Sequence, residues 1–270
     1  MATRASTRWT PSPLLKASAA LHLGAVALAV ARPGLWPWAL GAVILNHLQL
    51  TATGLWPRST LLGPNLTRLP AAAALRGEVA LSIDDGPDPA VTPKVLRVLD
   101  EHGAKATFFC VGTRVEEHAE LAREIVQRGH AIENHSYRHL NYFSVLPPRA
   151  LAYEIERAQE AIGAITGRRP LFFRAPAGLR SPLLDPILTR LELLLASWTR
   201  RGFDSVNGNP ESVYARLTTG LAAGDILLLH DGHAARTRSG SPVILEVLPR
   251  LLALFAQSGL TTVRLSAALA

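Results

Sequence analysis

From Glu78 onward, short apolar runs alternate with longer amphipathic stretches, and this alternation restricts the fold more than any other feature of the chain. Val79–Ile83, Ala106–Val111, Ala131–Glu133, Leu171–Phe173, Leu193–Trp198, Ile226–Leu229 and Thr261–Val263 have the length and composition of strands. Between them, Thr92–Glu101, Glu116–Gln127, Arg149–Thr166, Pro182–Arg190, Pro210–Leu221 and Pro242–Gln257 carry apolar residues at helical spacing. Several of these stretches begin with proline near the first turn, where its missing N–H costs no hydrogen bond. Several stop at a glycine: Gly103, Gly129, Gly167 or Gly259. Strands separated by helices of this length form parallel βα units. The pattern predicts an α/β fold, an irregular (β/α)7 barrel, over residues 78–270.

The chain before Glu78 follows a different rule. Leu14 to Ala31 is apolar except for Lys16, Ser18 and His22, and Leu35 to Trp56 carries Asn46, His47 and Gln49 but no charge. Each approaches the length of about 20 residues that a bilayer-spanning helix needs. Arg32-Pro33-Gly34 reads as a tight turn between them, and Trp36, Trp38 and Trp56 lie near the ends of the second stretch, where aromatic rings favour the membrane interface. Residues 1–57 are therefore expected to form a membrane-anchoring helical hairpin, with a single anchor or a cleaved signal peptide as alternatives. Signal cleavage would need a small-residue site, and the Ala-Arg-Pro-Gly boundary is a weak one. Residues 58–77, with Gly63, Pro64 and Pro70, read as a linker to a catalytic domain at 78–270.

Charge supports the same division. The formal net charge is +7, from 28 basic and 21 acidic residues. Residues 1–77 hold seven of the basic residues (Arg4, Arg8, Lys16, Arg32, Arg58, Arg68, Arg76) and no acidic one, so 28 less 7 leaves 21 against 21 in the remainder. The excess belongs to the apolar segment, which excludes a nucleic-acid partner for the balanced domain and favours a membrane. The single cysteine, Cys110, lies in the apolar run Phe-Phe-Cys-Val, is expected as a buried thiol, and has no intramolecular disulfide partner. It leaves the compartment open.

In a βα barrel, reactive side chains gather at the C-terminal ends of the strands. The first run ends in Ser82-Ile83-Asp84-Asp85-Gly86-Pro87-Asp88, whose adjacent carboxylates repel each other unless a cation or an arginine compensates. The third is followed by His135 and His139, a spacing that turns two imidazoles to one side; with Asp85 they make a His₂Asp set suited to a divalent metal with open positions. Arg174 follows an apolar run, and its burial calls for a carboxylate partner. Trp198 ends the fifth run and Asp204 follows it. His230 ends the sixth, in Leu228-Leu229-His230-Asp231-Gly232-His233, and facing a metal site it is a candidate acid or base.

In this order, the clusters resemble the five motifs of the polysaccharide deacetylase family, the NodB-homology domain of carbohydrate esterase family 4. Ser82 to Pro87 matches T/S-F-D-D-G-P, His135 to His139 matches H-S/T-x-x-H, Arg174 to Gly178 matches R-x-P-x-G, Leu228 to His230 matches L-x-H, and Asp204 matches the Asp of the Trp-containing fourth motif. The resemblance runs from about Glu78 to Leu265. It implies an N-deacetylase of amino sugars in which Asp85, His135 and His139 bind a divalent metal, usually Zn2+. That metal would polarise the acyl carbonyl and acidify a bound water. Asp84 would be the general base, held by Arg174. The backbone N–H of Ala177 would share in stabilising the oxyanion, His230 would protonate the leaving amine, and Asp204 would orient His230. Trp198 and Leu228 would form the pocket for the acyl methyl. Three positions depart from the family pattern: Ile83 stands for a usual Phe, Ala177 for a common aromatic, and Ser205 for a Trp after Asp204. The last two bear on specificity rather than on hydrolysis.

The implied substrate is an N-acylated amino-sugar glycan, polymeric or lipid-linked, at a bacterial-type inner membrane. Arg4, Arg8 and Lys16 lie before or at the start of the first apolar stretch, Arg32 lies in the turn, and Arg58, Arg68 and Arg76 follow. With two spans this puts both ends in the cytoplasm; with one, the domain faces the periplasm. Arg180, Arg200, Arg201, Arg236 and Arg238 follow strand ends and are candidates to hold a phosphate. A catalytically inactive, membrane-anchored sugar-binding module is the alternative function, and a glycosidase would use carboxylates without needing the histidine pair.

Overall fold

The computed structural model describes residues 8–269. Arg4, the rest of the first seven residues of the segment 1–57, and Ala270 at the end of 78–270 lie outside the described residues. The chain opens with α1 (Pro13–Ala31), capped by the Ser12 hydroxyl accepting from the Leu15 N–H at 3.3 Å. A short 3-10 turn at Pro33–Leu35 leads into α2 (Trp36–Gly54). The two helices pack as a hairpin that buries a polar pair, Asn46 Nδ2 donating to Ser18 Oγ at 2.8 Å. Among the described residues, α1 alone is long and apolar enough to cross a membrane. α2 has the same length but carries Asn46, His47, Gln49, Thr51 and Thr53, which lower its hydropathy.

The stretch expected as a linker, 58–77, is instead packed on the sheet. Leu62 and Leu69 are buried, and Leu66 donates its N–H to Leu195 O and accepts from the Ser197 N–H, both at 2.9 Å. Leu69 donates to Gly224 O at 2.8 Å, and α3 (Ala71–Leu75) then leads into β1 (Glu78–Asp84).

Thereafter strands and helices alternate as the periodicity predicts. α4 (Thr92–Glu101), β2 (Ala106–Cys110), α5 (Gly112–Glu117), α6 (Ala119–Gln127), β3 (Ala131–Asn134) and α7 (Pro148–Thr166) form the first half. β4 (Phe172–Phe173), α8 (Leu184–Arg190), β5 (Leu194–Leu195), β6 (Arg200–Arg201), α9 (Pro210–Thr218), β7 (Ile226–His230), α10 (Val243–Gln257), β8 (Thr261–Thr262) and α11 (Leu265–Ala268) complete it. The sheet is parallel throughout, in the order β5-β4-β3-β2-β1-β7-β6, with β8 against the start of β1. It is an incomplete barrel. Its two edges, β5 and β6, flank the turn at 196–199, and Leu66 pairs with Ala196 there, so chain 66–69 covers what would otherwise be an open edge.

Two expectations on element bounds change for local reasons. The run Leu193–Trp198 shortens to β5 and a separate β6 follows it at Arg200–Arg201, because the carbonyls of Ala196 and Ser197 turn toward the Arg174 guanidinium. The helix expected over Glu116–Gln127 starts earlier, at Gly112, and is interrupted at His118, whose φ of −122° is not helical. Side-chain parity builds the core. Leu81, Ile83, Phe108, Leu227 and Leu229 face the outer helices, while Ala80, Phe109, Phe172, Trp198, Ile226 and Leu228 pack inside the sheet's curve. Cys110 is buried on the helical side.

Candidate active site and metal centre

The same parity puts Ser82 and Asp84 on the inner face of β1, with His230 of β7 in register beside Asp84. Inner residues at the C-terminal ends of parallel strands converge, and here they surround an open cavity of about 140 Å³. Asp84, Asp85, His135, His139, Ala177, Gly178, Trp198, Arg201, Ser205, Leu228 and His230 line it. Of the catalytic, metal-binding and acyl-pocket residues named from the sequence, only Arg174 and Asp204 are absent from this lining; each is hydrogen-bonded to a residue that is in it, Asp84 and His230.

Asp85 has left the strand with a φ of 74°, which brings its carboxylate to the cavity that Asp84 also lines. Its Oδ1 lies 3.2 Å from His135 Nε2 and 3.2 Å from His139 Nε2, and the three donor atoms fall within 4.8 Å of one another. His135 Nδ1 is 2.8 Å from Arg174 O. A carbonyl only accepts, so Nδ1 carries a proton and Nε2 is left facing Asp85, a donor to it when the ring is charged and a lone pair for a metal when the ring is neutral. Burial, then His135, pulls His139 down to about 4, so its imidazole is neutral near pH 7. Burial opposes ionisation of Asp85, yet hydrogen bonds from His135 and His233 hold its carboxyl far below the usual range. Two neutral-capable imidazole nitrogens and a carboxylate with an orienting carbonyl fit a divalent cation such as zinc.

Asp84 is held differently. Arg174 Nη1 donates to Asp84 Oδ1 at 2.5 Å and to Ser82 Oγ at 2.9 Å, while its Nε and Nη2 donate to Ala196 O and Ser197 O. The guanidinium is fully buried 3.9 Å above the Phe109 ring. Burial lowers the Arg174 pKa and Asp84 raises it again, which is the pairing that a buried arginine requires. On the neighbouring strand, His230 Nδ1 is 2.9 Å from Asp204 Oδ1, and the His230 N–H donates to Asp204 Oδ2 at 2.7 Å. Burial works against the imidazolium, but Asp204, with Asp84 and Asp85 beyond it, pushes His230 up to about 9. It is protonated at neutral pH and able to give a proton.

Ala177 adopts a φ of 54° on the rim, in the 3-10 turn Pro176–Gly178 after β4. Three participants escaped the sequence reading. His233 places Nδ1 3.4 Å from Asp85 Oδ2; the signal was a second histidine three positions after His230. Asp231, fully buried and pushed by burial up to about 7, accepts from Thr92 Oγ1 and from the Gly232 N–H. It also explains Gly86: a Cβ there would come within 2.5 Å of the Asp231 carboxylate, so only glycine fits beside the paired aspartates. Gly178 is the third, wedged between Trp198 and Pro57.

A half-closed parallel barrel with a carboxylate–imidazole metal set, an arginine-held aspartate and an aspartate-held histidine defines a metal-type hydrolase of acylated amines. The comparisons give the lineage. The Polysaccharide deacetylase family profile matches residues 72–195. A peptidoglycan-N-acetylglucosamine deacetylase of Bacillus cereus is 33% identical over 175 residues, 64% of this chain and 81% of that protein. A chitooligosaccharide deacetylase of Azorhizobium caulinodans is 35% identical over 161 residues, 58% of this chain and 75% of that one. Among solved structures, a peptidoglycan N-acetylglucosamine deacetylase in complex with 4-naphthalen-1-yl-N-oxidanyl-benzamide superposes with a TM-score of 0.68 at 25% identity, covering 76% of this chain and 92% of that one. The chain belongs to the polysaccharide deacetylase family, and by that membership it is a carbohydrate N-deacetylase in class.

Proposed function

We propose that the protein is a membrane-anchored hydrolase that removes an N-acyl group, N-acetyl by preference, from an amino sugar. The observation that carries this reading is the meeting of three charge-tuned units in one cavity: Asp85–His135–His139, Asp84–Arg174 and His230–Asp204. A divalent cation held by the first unit would supply Lewis acidity toward the acyl carbonyl and a water. The chain's own residues do the rest. Asp84, fixed by Arg174 and unable to rotate away, accepts the proton of the attacking water. The Ala177 N–H, on the turn that lines the cavity, would donate to the oxygen that gains charge. His230 gives its proton to the departing nitrogen, and the Asp204 carboxylate stabilises the charge it carries until then. Trp198 and Leu228, which both line the cavity, supply the apolar surface against which an acyl methyl would pack. The relatives' substrates, peptidoglycan N-acetylglucosamine and chitooligosaccharide, favour an N-acetylhexosamine.

The hairpin of α1 and α2 is the anchor in this reading. It returns the chain to the side on which it began, and three basic residues at each end against Arg32 alone in the turn favour a cytoplasmic catalytic domain. The test uses the full chain in nanodiscs: metal content, and free amine and acetate released from N-acetylated sugars, with Asp84→Asn beside it. Bound zinc together with release that falls at least ~10³-fold in the variant supports the assignment. Absence of both from every sugar tried leaves the inactive sugar-binding module as the better reading.

A further inference from the structure

The five arginines that follow strand ends are not equivalent in three dimensions. Arg180 donates its Nη2 to Ser59 O at 2.6 Å under the base of the hairpin. Arg200 is paired with Asp225 and with carbonyls at Thr219 and Gly220. Arg236 donates to Gly240 O at 2.8 Å, and with Arg238 it borders a separate surface depression near Asn209. Arg201 alone among these five lines the catalytic cavity. β6 sets it in register with Leu228, so it faces inward, whereas Arg200 beside it faces Asp225.

Among the described residues Arg201 makes no ion pair, and its Nε is buried without a hydrogen-bond partner. Its guanidinium carbon lies 5.3 Å from the Trp198 ring and 4.9 Å from the Phe203 ring, which holds the planar group in place. A half-buried cation without a carboxylate is an unfavourable arrangement that an anionic ligand relieves. The neighbouring carboxylates are otherwise engaged, Asp84 by Arg174 and Asp85 by the histidines. A guanidinium presented in this way suits a phosphate, which it binds through two parallel N–H donors.

The second observation concerns where the cavity opens. Its walls at Gly178 and Trp198 are also the seat of the hairpin. Pro57 O accepts from Ser197 Oγ at 2.6 Å, a Cβ on Gly178 would lie 2.7 Å from Pro57 Cβ, and the Arg180 N–H donates to Gly54 O, the last residue of α2, at 3.0 Å. With α1 and α2 in a bilayer, the mouth of the site therefore sits at the membrane surface. We infer that the site takes an N-acyl amino sugar whose anomeric phosphate is joined to a membrane lipid, with Arg201 pairing with that phosphate. The inference rests on the deacetylase reading above.

The full chain in nanodiscs is offered three acceptors of one N-acetylhexosamine: the polyprenyl-phosphate form in the bilayer, the soluble 1-phosphate, and the neutral methyl glycoside. Wild type should prefer both phosphates to the glycoside, and the lipid-linked form to the soluble one. Arg201→Gln should cut the phosphate-to-glycoside ratio of kcat/KM by ~10- to 100-fold, as loss of a charged hydrogen bond does, while Arg238→Gln leaves the ratio unchanged. Equal use of phosphate and glycoside, or a ratio that Arg201→Gln does not move, overturns the phosphate role while the deacetylase reading stands. Preference for the soluble phosphate overturns the lipid. Should none of the three be hydrolysed, the deacetylase reading fails, and calorimetric binding of the 1-phosphate to wild type and Arg201→Gln still decides: equal affinity sinks the inference.

Discussion

Each reactive side chain here is defined by the one behind it. Asp84 and Asp85 are neighbours in sequence with the same chemistry, yet one is gripped by a buried guanidinium and the other faces three histidines. The φ of 74° at Asp85 brings both into one cavity, because a regular strand would have sent their side chains to opposite faces of the sheet. His230 shows the same dependence in its charge. With Asp204 raising it to about 9, the imidazolium persists through neutral pH and is lost as pH rises through that value. The proton it donates is then missing, so kcat/KM should fall on the alkaline side near pH 9. Asp204→Asn keeps the shape but removes the charge that raises the pKa, and the alkaline limb should move to lower pH by about one unit or more. A pH–rate profile of both proteins reads this directly. An unmoved limb in Asp204→Asn would mean that another group sets it.

At the scale of elements, the sequence was most informative where period and parity act together. Runs such as Ala106–Val111 and Ile226–Leu229 had to be inner strands, and from them the polar residues at their C-terminal ends had to meet, which is why Asp84, His135, Arg174 and His230 were legible. Less legible was anything set by a backbone group answering a side chain. The break between β5 and β6 exists because Ala196 and Ser197 carbonyls serve Arg174, and no periodicity records that. The role of Arg201 depends on the register that β6 then takes with β7, and His233 on a loop whose direction the motif does not state. The segment 58–77 is the sharpest case, since proline and glycine spacing suggests a free connector while Leu62, Leu69 and Ala73 are buried. Leu69→Ala should therefore cost about 3 kcal/mol, the loss expected for a core leucine, measured as a shift in the urea midpoint at constant m. A cost under ~0.5 kcal/mol, typical of a surface position, would return the segment to the status of a linker.

At the scale of the whole molecule, the α1–α2 hairpin is packed against the catalytic face. On one side of the hairpin, Trp9 Nε1 donates to Asp185 Oδ2 at 2.8 Å and Ser12 Oγ to Leu61 O at 2.7 Å; on the other, Gly54 and Pro57 are bonded to the loops around Arg180 and Ser197. Both ends of the hairpin are thus tied to one domain, so its tip at Gly34 must lie at the opposite end of the helices. A helix of 19 residues is about 28 Å long at 1.5 Å per residue, close to the thickness of a bilayer's hydrocarbon core. If the hairpin crosses, positions 34 and 239 face different compartments. In a Cys110→Ala background, Gly34→Cys should react with a membrane-impermeant maleimide in intact spheroplasts, and Ser239→Cys only after lysis. The reverse pattern would keep the hairpin and turn the active site outward, toward exported glycan. Labelling of both from the same side would mean that α1 and α2 do not cross at all, and the site would then have no fixed relation to a bilayer.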